Sequence, residues 1–288
     1  MEYLIHIGIL ISIYSLLGIS LNLILGYTGL LSMTSAAFYG IGAYMTAILI
    51  SAFGINFFLA MIISAFISGI VALIIGYTFS KFRGDYFALG SFGFNIITVS
   101  IFVNWISVTG GALGISGIDR PELFGFTFSN NFNFLLLSFF ILILVYFICR
   151  NIIKSSFGRI LKAIREDEKA IEIFGYKTHY YKLAIFVIGG FIASLAGSLF
   201  ASYITYINPI SFGVNESIFI LAIIILGGLS SNRGAIVGSI ILIILPEALR
   251  FIGLPTEVAA QLRQIIYGFV LILLMLYRPQ GLIGKYKI

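Results

Sequence analysis

Residues 132–182 read FNFLLLSFFILILVYFICRNIIKSSFGRILKAIREDEKAIEIFGYKTHYYK, and the change of character near residue 149 decides the fold. The run Phe132–Ile148 is almost wholly apolar. It approaches the ~20 residues a helix needs to cross the hydrocarbon of a bilayer. The next segment, Arg150–Lys182, holds eight of the chain's 17 Lys and Arg residues (Arg150, Lys154, Arg159, Lys162, Arg165, Lys169, Lys177 and Lys182) together with Glu166, Asp167, Glu168 and Glu172. Hydrophobic segments resume beyond it. Around this one long polar segment the chain is close to oil.

The composition agrees. Of 288 residues 60% are hydrophobic and 10% charged, with mean hydropathy +1.11. A soluble domain carries about 25% charge, so the solvent for most of this surface is lipid. A membrane barrel would show short alternating segments, whereas Phe132–Ile148 and Ile218–Leu226 are unbroken runs. The expected fold is an all-α polytopic membrane protein, one transmembrane domain over residues 1–288. At the usual span length the chain has room for about eight to ten helices.

Nine candidate spans follow in order: Tyr3–Leu25, Leu30–Ser51, Phe57–Ser80, Phe87–Trp105, Phe132–Cys149, Leu183–Tyr206, Ser217–Leu226, Ala235–Leu245 and Ile265–Tyr277. The first run lacks a basic leader and a small-residue cleavage site, so it is expected to be a retained span. Residues 107–131, with Gly110, Gly111, Gly114, Gly117 and Pro121, read as a loop. Basic residues favour the cytoplasmic side. With 150–182 inside, Lys81, Arg83, Arg233, Arg278, Lys285 and Lys287 fall inside as well, and 107–131 outside. The piece 217–226 is short, and a re-entrant path there would break this parity.

The second span is unusual. Ser32, Thr34, Ser35, Tyr39, Gly40, Gly42, Tyr44 and Thr46 are too polar and too small for a lipid-facing helix. Small residues let helices approach closely, and hydroxyls can line an aqueous path. Tyr27, Ser32, Thr34, Ser35 and Tyr39 are therefore candidate pathway residues, with Asn95 of the fourth span as an outlying candidate. Close helix packing without a path is the competing reading.

Within the polar segment, Ser155 and Ser156 suit a helix start and Gly175 a helix end. Residues 157–174 are expected to form one amphipathic helix, with Ile160, Ile164, Ile171 and Phe174 on one face and Lys162, Arg165, Glu166, Lys169 and Glu172 opposite. Mixed charge suits a protein partner better than an anionic lipid surface, which selects mainly basic helices. No G-x-x-x-x-G-K-[ST] phosphate loop occurs, so ATP cannot be cradled by that device. The two histidines, His6 and His179, are isolated, and Cys149 is the only cysteine. Neither a catalytic set nor a metal cluster is expected. The residues alone leave open a subunit energised by a partner, a stand-alone ion-coupled carrier and a channel-like scaffold.

Several motifs resemble one family in order along nearly the whole chain. They are Gly26-Tyr27-Thr28-Gly29-Leu30-Leu31-Ser32 running on to Ala36–Tyr44; Arg83–Leu89 with Gly93-Phe94; Thr109-Gly110-Gly111 with Gly114-Ile115; Ser156-Phe157-Gly158-Arg159 with Ala163–Glu168; Gly227–Ser231; and Leu245-Pro246-Glu247. Together they resemble the branched-chain amino acid ABC transporter permeases of the LivM type. The resemblance implies a type II ABC importer permease fold in the cell membrane. It implies as partners two ABC ATPase subunits, a second permease (LivH-like or the same chain) and an extracytoplasmic binding protein. Segment 150–182 would be the coupling element, through Gly158, Arg159, Ile164, Arg165, Glu166, Asp167 and Glu168. ATP would be bound by the ATPases, leaving this chain without cofactor or metal and without enzymatic activity of its own. Where the family often carries Gly-His before Ala-Ala-Phe, this chain has Thr34-Ser35. Urea-type relatives share the framework, so urea or another small solute stands as the alternative to branched-chain amino acids.

Overall fold

In the computed structural model, residues 2–80, 82, 84–123, 126–128, 130–250, 268–269 and 280–284 are described. The helices are α1 (Glu2–Leu21, continued by a π-helical turn Asn22–Gly26), α2 (Ser35–Ser51), α3 (Phe57–Phe79), α4 (Asp85–Asn104), α5 (Ile106–Thr109), α6 (Asn131–Lys154), α7 (Ser156–Glu166), α8 (Glu168–Ile173), α9 (Thr178–Ile204), α10 (Val214–Gly227) and α11 (Asn232–Arg250). Five of them are long and apolar enough to cross a membrane: α1 with its π turn, α3, α4, α6 and α9. α10 and α11 meet the same test only as a pair, bent by 117° at residues 228–231. α2 has 17 residues. The first eight expected spans thus each coincide with a helix. The ninth, Ile265–Tyr277, lies outside the described residues apart from 268–269, as do Lys81, Arg83, Arg278, Lys285 and Lys287.

The expected span Leu30–Ser51 begins later than its hydropathy implied. Gly29 sits at φ +74°, and residues 29–34 leave the helical path before α2 starts at Ser35. Ser32 and Thr34 hydrogen-bond each other there (2.9 Å) instead of extending a helix. Short polar side chains compete with the backbone in this way.

The bundle is built on α9. α2 and α3 pack along it, and α1 packs against α6, α9 and α11. The α2–α9 seam is as tight as backbones allow. A Cβ on Gly42 would land on the Ser194 backbone, and one on Gly197 on the Tyr39 carbonyl. Lipid tails offer no hydrophobic drive between helices, so such small-residue contacts supply the packing. Buried hydroxyls close the seam: Thr46 bonds Ser64 (2.8 Å) and Ser198 (2.7 Å). Outward, α3, α4 and α6 present Ile70, Ile97, Phe140 and similar side chains that no protein covers.

Residues 107–131 carry more structure than a plain loop. Ile115-Ser116 (β1) pairs antiparallel with Tyr206-Ile207 (β4), and Glu122-Leu123 (β2) with Phe126-Thr127 (β3). Ser202 holds the Asp119 carbonyl at 2.9 Å, tying this cap to the end of α9 far from the charged segment.

The single helix expected over 157–174 is two helices. Asp167 turns out of the helical region (φ −153°, ψ 100°), and its carboxylate accepts the Ala170 amide (3.1 Å), capping α8. Asp is a favoured N-cap because its oxygen satisfies one of the orphan amides. The apolar face of α7 is real: Gly158, Leu161 and Ile164 are buried. That of α8 is not, since none of its residues is buried, and Phe174 just beyond it is 77% exposed.

Candidate functional site

Two breaks in helical backbone define the site. The first is residues 29–34, ahead of α2. Non-helical backbone at membrane depth survives only when buried in protein or facing water, and here it is clasped by side chains of α4 and α10. The Met33 amide donates to Ser91 Oγ (2.9 Å). Ser217 Oγ donates to the Met33 carbonyl (2.8 Å) and accepts the Ala36 amide (3.3 Å). Asn95 Nδ2 donates to Ser217 Oγ (3.4 Å) and to the Phe212 carbonyl (3.5 Å). Ser217 lies in the first turn of α10, and Ala36 in the first turn of α2. The amino ends of two helices therefore meet around one polar knot, and each contributes a positive dipole end.

This knot holds unused hydrogen-bonding capacity. Among the described residues Ser35 Oγ, Tyr39 Oη, Tyr44 Oη, Asn95 Oδ1 and Ser194 Oγ are fully enclosed and have no partner, and Ser35, Tyr39 and Asn95 belong to this knot. Unpaired buried polar atoms cost about 1–3 kcal/mol each, so their presence together marks a place that something else completes. Above them lies an aromatic plug. Tyr39 packs edge-on to Phe212 (centroids 5.1 Å apart), and Tyr44 stacks on Phe102 (4.2 Å). One residue from Ser217, Glu216 accepts the Tyr14 hydroxyl (2.7 Å).

The second break is residues 228–231, between α10 and α11, beside the charged segment. Ser230 takes φ +59°. Its amide donates to Asn22 Oδ1 (2.9 Å), and its carbonyl accepts the Tyr27 hydroxyl (2.8 Å). Its hydroxyl bonds the Gly26 carbonyl at the end of α1. Arg165 of α7 reaches into the same place, donating to Ser230 Oγ (2.7 Å) and to the Gly26 carbonyl. Thus α7, the end of α1 and the α10–α11 break share one arginine.

The structure brings together Ser32, Thr34, Ser35, Tyr39 and Asn95 at the first break. Tyr27 belongs to the second break instead, under the Lys162 ammonium (5.7 Å from its ring). The charged-segment residues divide three ways. Gly158 and Ile164 are buried under α7. Arg165 and Glu168 face inward, Glu168 pairing with Lys182 of α9 (2.5 Å) and accepting the Thr178 hydroxyl (3.1 Å). Arg159, Glu166 and Asp167 are exposed. Ser91, Ser217, Asn22 and Ser230 were not among the candidate site residues. Ser91 and Ser230 sat inside polar clusters that could have flagged them, whereas Ser217 is a lone serine ahead of an apolar run. Among the described residues no group of His, Cys, Asp and Glu could hold a metal.

Helices that break around buried polar groups within a multi-pass bundle are the arrangement membrane transporters use for their binding sites. The profile for "Branched-chain amino acid transport system / permease component" matches residues 3–275. The chain is 33% identical to the high-affinity branched-chain amino acid transport system permease protein LivM of Escherichia coli, over 97% of this chain and 69% of that protein. It is 25% identical to the probable branched-chain amino acid transport permease protein LivM of Methanocaldococcus jannaschii, over 95% of this chain and 91% of that one. It is 28% identical to the LivH permease protein of Salmonella typhimurium, over 95% and 92%. No solved structure matches. The chain belongs to the branched-chain amino acid transport system permease family.

Proposed function

We propose that this chain is the membrane-spanning subunit of an ABC importer and passes branched-chain or related small amino acids through the break ahead of α2. The observation that carries the reading is the knot of Ser35, Tyr39, Asn95 and Ser217 where two helix amino ends converge. Helix amino ends favour a carboxylate, and broken helices present them at mid-membrane in other transporters. An amino acid's carboxylate fits there better than neutral urea does. Its apolar side chain would meet the plug of Tyr39, Phe212, Tyr44 and Phe102.

Energy comes from partner ATPases seated on the exposed residues of α7 and of its junction with α8, namely Arg159, Glu166 and Asp167. Arg165 then acts one step further in. It joins α7 to both the end of α1 and the α10–α11 break, so displacing α7 pulls on the two broken elements at once. The two states must differ in affinity for ATP-bound partners for this to drive a cycle. The experiment is solute uptake by proteoliposomes holding this chain with its ATPases, a second permease and a binding protein. Saturable, ATP-dependent leucine uptake supports the reading. ATP-dependent uptake of urea without leucine would replace the substrate, and gradient-driven uptake by this chain alone would replace the class.

A further inference from the structure

We propose that a basic cleft at the charged end of the bundle, between α6, α7 and α11, holds the phosphate headgroup of an anionic phospholipid. The cleft has a volume of about 730 Å³. Among the described residues four cations from three elements line it: Arg150 and Lys154 of α6, Lys162 of α7 and Arg233 of α11, together with Tyr27 and Tyr146. Among the described residues no carboxylate lines it. Elsewhere in the charged segment Lys182 pairs with Glu168, but Arg150, Lys154, Lys162 and Arg233 have no carboxylate partner among the described residues. Two of the four are held in place by aromatics. Lys162 sits over Tyr27, and Arg233 Nε donates to the Tyr146 hydroxyl (3.4 Å).

Lys154, in the last turn of α6, would by itself be explained by the helix dipole. Lys162 and Arg233 come from other elements, and Arg233 stands at an amino end where the dipole disfavours a cation. Something anionic accounts for all four. The choice of lipid over a protein partner rests on depth. The α6 wall runs from Tyr146 to Lys154, about 12 Å along the axis, so the cleft climbs from the charged end into the span. On the same face of that helix Phe139, Ile143 and Phe147 are exposed, offering a track for an acyl chain. An ATPase under the bundle would cover the end of this cleft and leave its wall open to the bilayer. Basic pockets between membrane helices on the cytoplasmic side are suited to phospholipid headgroups. The inference stands apart from which solute crosses.

The test is native mass spectrometry of the full chain, delipidated in detergent and titrated with phosphatidylglycerol, phosphatidylcholine or inorganic phosphate. Phosphatidylglycerol is expected to stay bound where phosphatidylcholine does not, and to be lost as salt rises. Each near-surface cation contributes about fivefold, so Arg150→Gln/Arg233→Gln should weaken retention about tenfold or more. The equally discharged Lys169→Ala/Lys177→Ala, outside the cleft, should change it less than about twofold. Equal loss in both variants would reduce the effect to diffuse charge and overturn the site. Displacement of phosphatidylglycerol by millimolar phosphate would make it a free-anion site. Unchanged lipid retention in Arg150→Gln/Arg233→Gln, with loss of ATPase co-purification, would assign the cleft to the protein partner instead.

Discussion

Replacing Arg165 with Ala should uncouple the transporter without unfolding it. Arg165 donates charge-assisted hydrogen bonds to Ser230 Oγ and to the Gly26 carbonyl. Such bonds contribute about 1.5–3 kcal/mol each. The side chain is only half buried and Ser230 still bonds Gly26 without it, so the lower end applies and the pair is shared. A net loss of about 2 kcal/mol remains, or roughly thirtyfold in the equilibrium that ties α7 to the breaks. Proteoliposome uptake should fall by about that factor, while the amount of inserted chain stays unchanged. Arg165→Lys keeps a cation without the planar fork and should fall between Ala and wild type. ATP hydrolysis by the assembled complex should persist but lose its dependence on solute. Uptake by Arg165→Ala within threefold of wild type would refute the clasp.

Asn95→Leu should lower uptake at least tenfold with an unchanged melting midpoint in detergent, because it removes a donor to Ser217 and Phe212 together with an acceptor that the protein leaves unpaired; an unaltered uptake rate would show that Asn95 only fills space. Gly42→Val should cost stability outright, since its Cβ meets the Ser194 backbone and overpacking costs about 1–3 kcal/mol or more; thermal unfolding of the purified chain reads it. Lys182→Met should destabilise by about 1–3 kcal/mol, a range lowered from the buried-pair value because Glu168 is 27% exposed. Lys182→Met/Glu168→Gln should recover much of that loss, and a double-mutant cycle on melting midpoints checks the coupling.

Most of the bundle was legible because lipid leaves so few ways to satisfy a backbone. Long apolar runs became helices, and hydroxyl density around Ser32–Thr46 marked the seam that α2 shares with α9. What escaped depends on where the chain leaves regularity. Tyr27 and Ser32 are five residues apart, yet Gly29 turns the chain between them and they end at different breaks. Asp167 sits inside an amphipathic pattern that continues past it, so periodicity hid a residue whose own chemistry caps the next helix. Arg165 reads as a solvent charge on a mixed-charge face. Its long stem lets the head reach back to Gly26 and Ser230, which only tertiary placement reveals. Ser217 carried no local signal, because a lone serine before an apolar run is indistinguishable from a helix start. The bend between α10 and α11 was foreshadowed by the shortness of 217–226, while its angle was not.

The solute's proposed path is the break ahead of α2. Ser35→Cys tests it most directly, on a Cys149→Ala background that removes the one native, buried thiol. The thiol at position 35 should react with a small membrane-impermeant reagent during ATP-driven turnover of the assembled transporter, and saturating leucine should slow that reaction severalfold. A cysteine there that stays unreactive in every nucleotide state, in a complex still competent for uptake, would contradict the account.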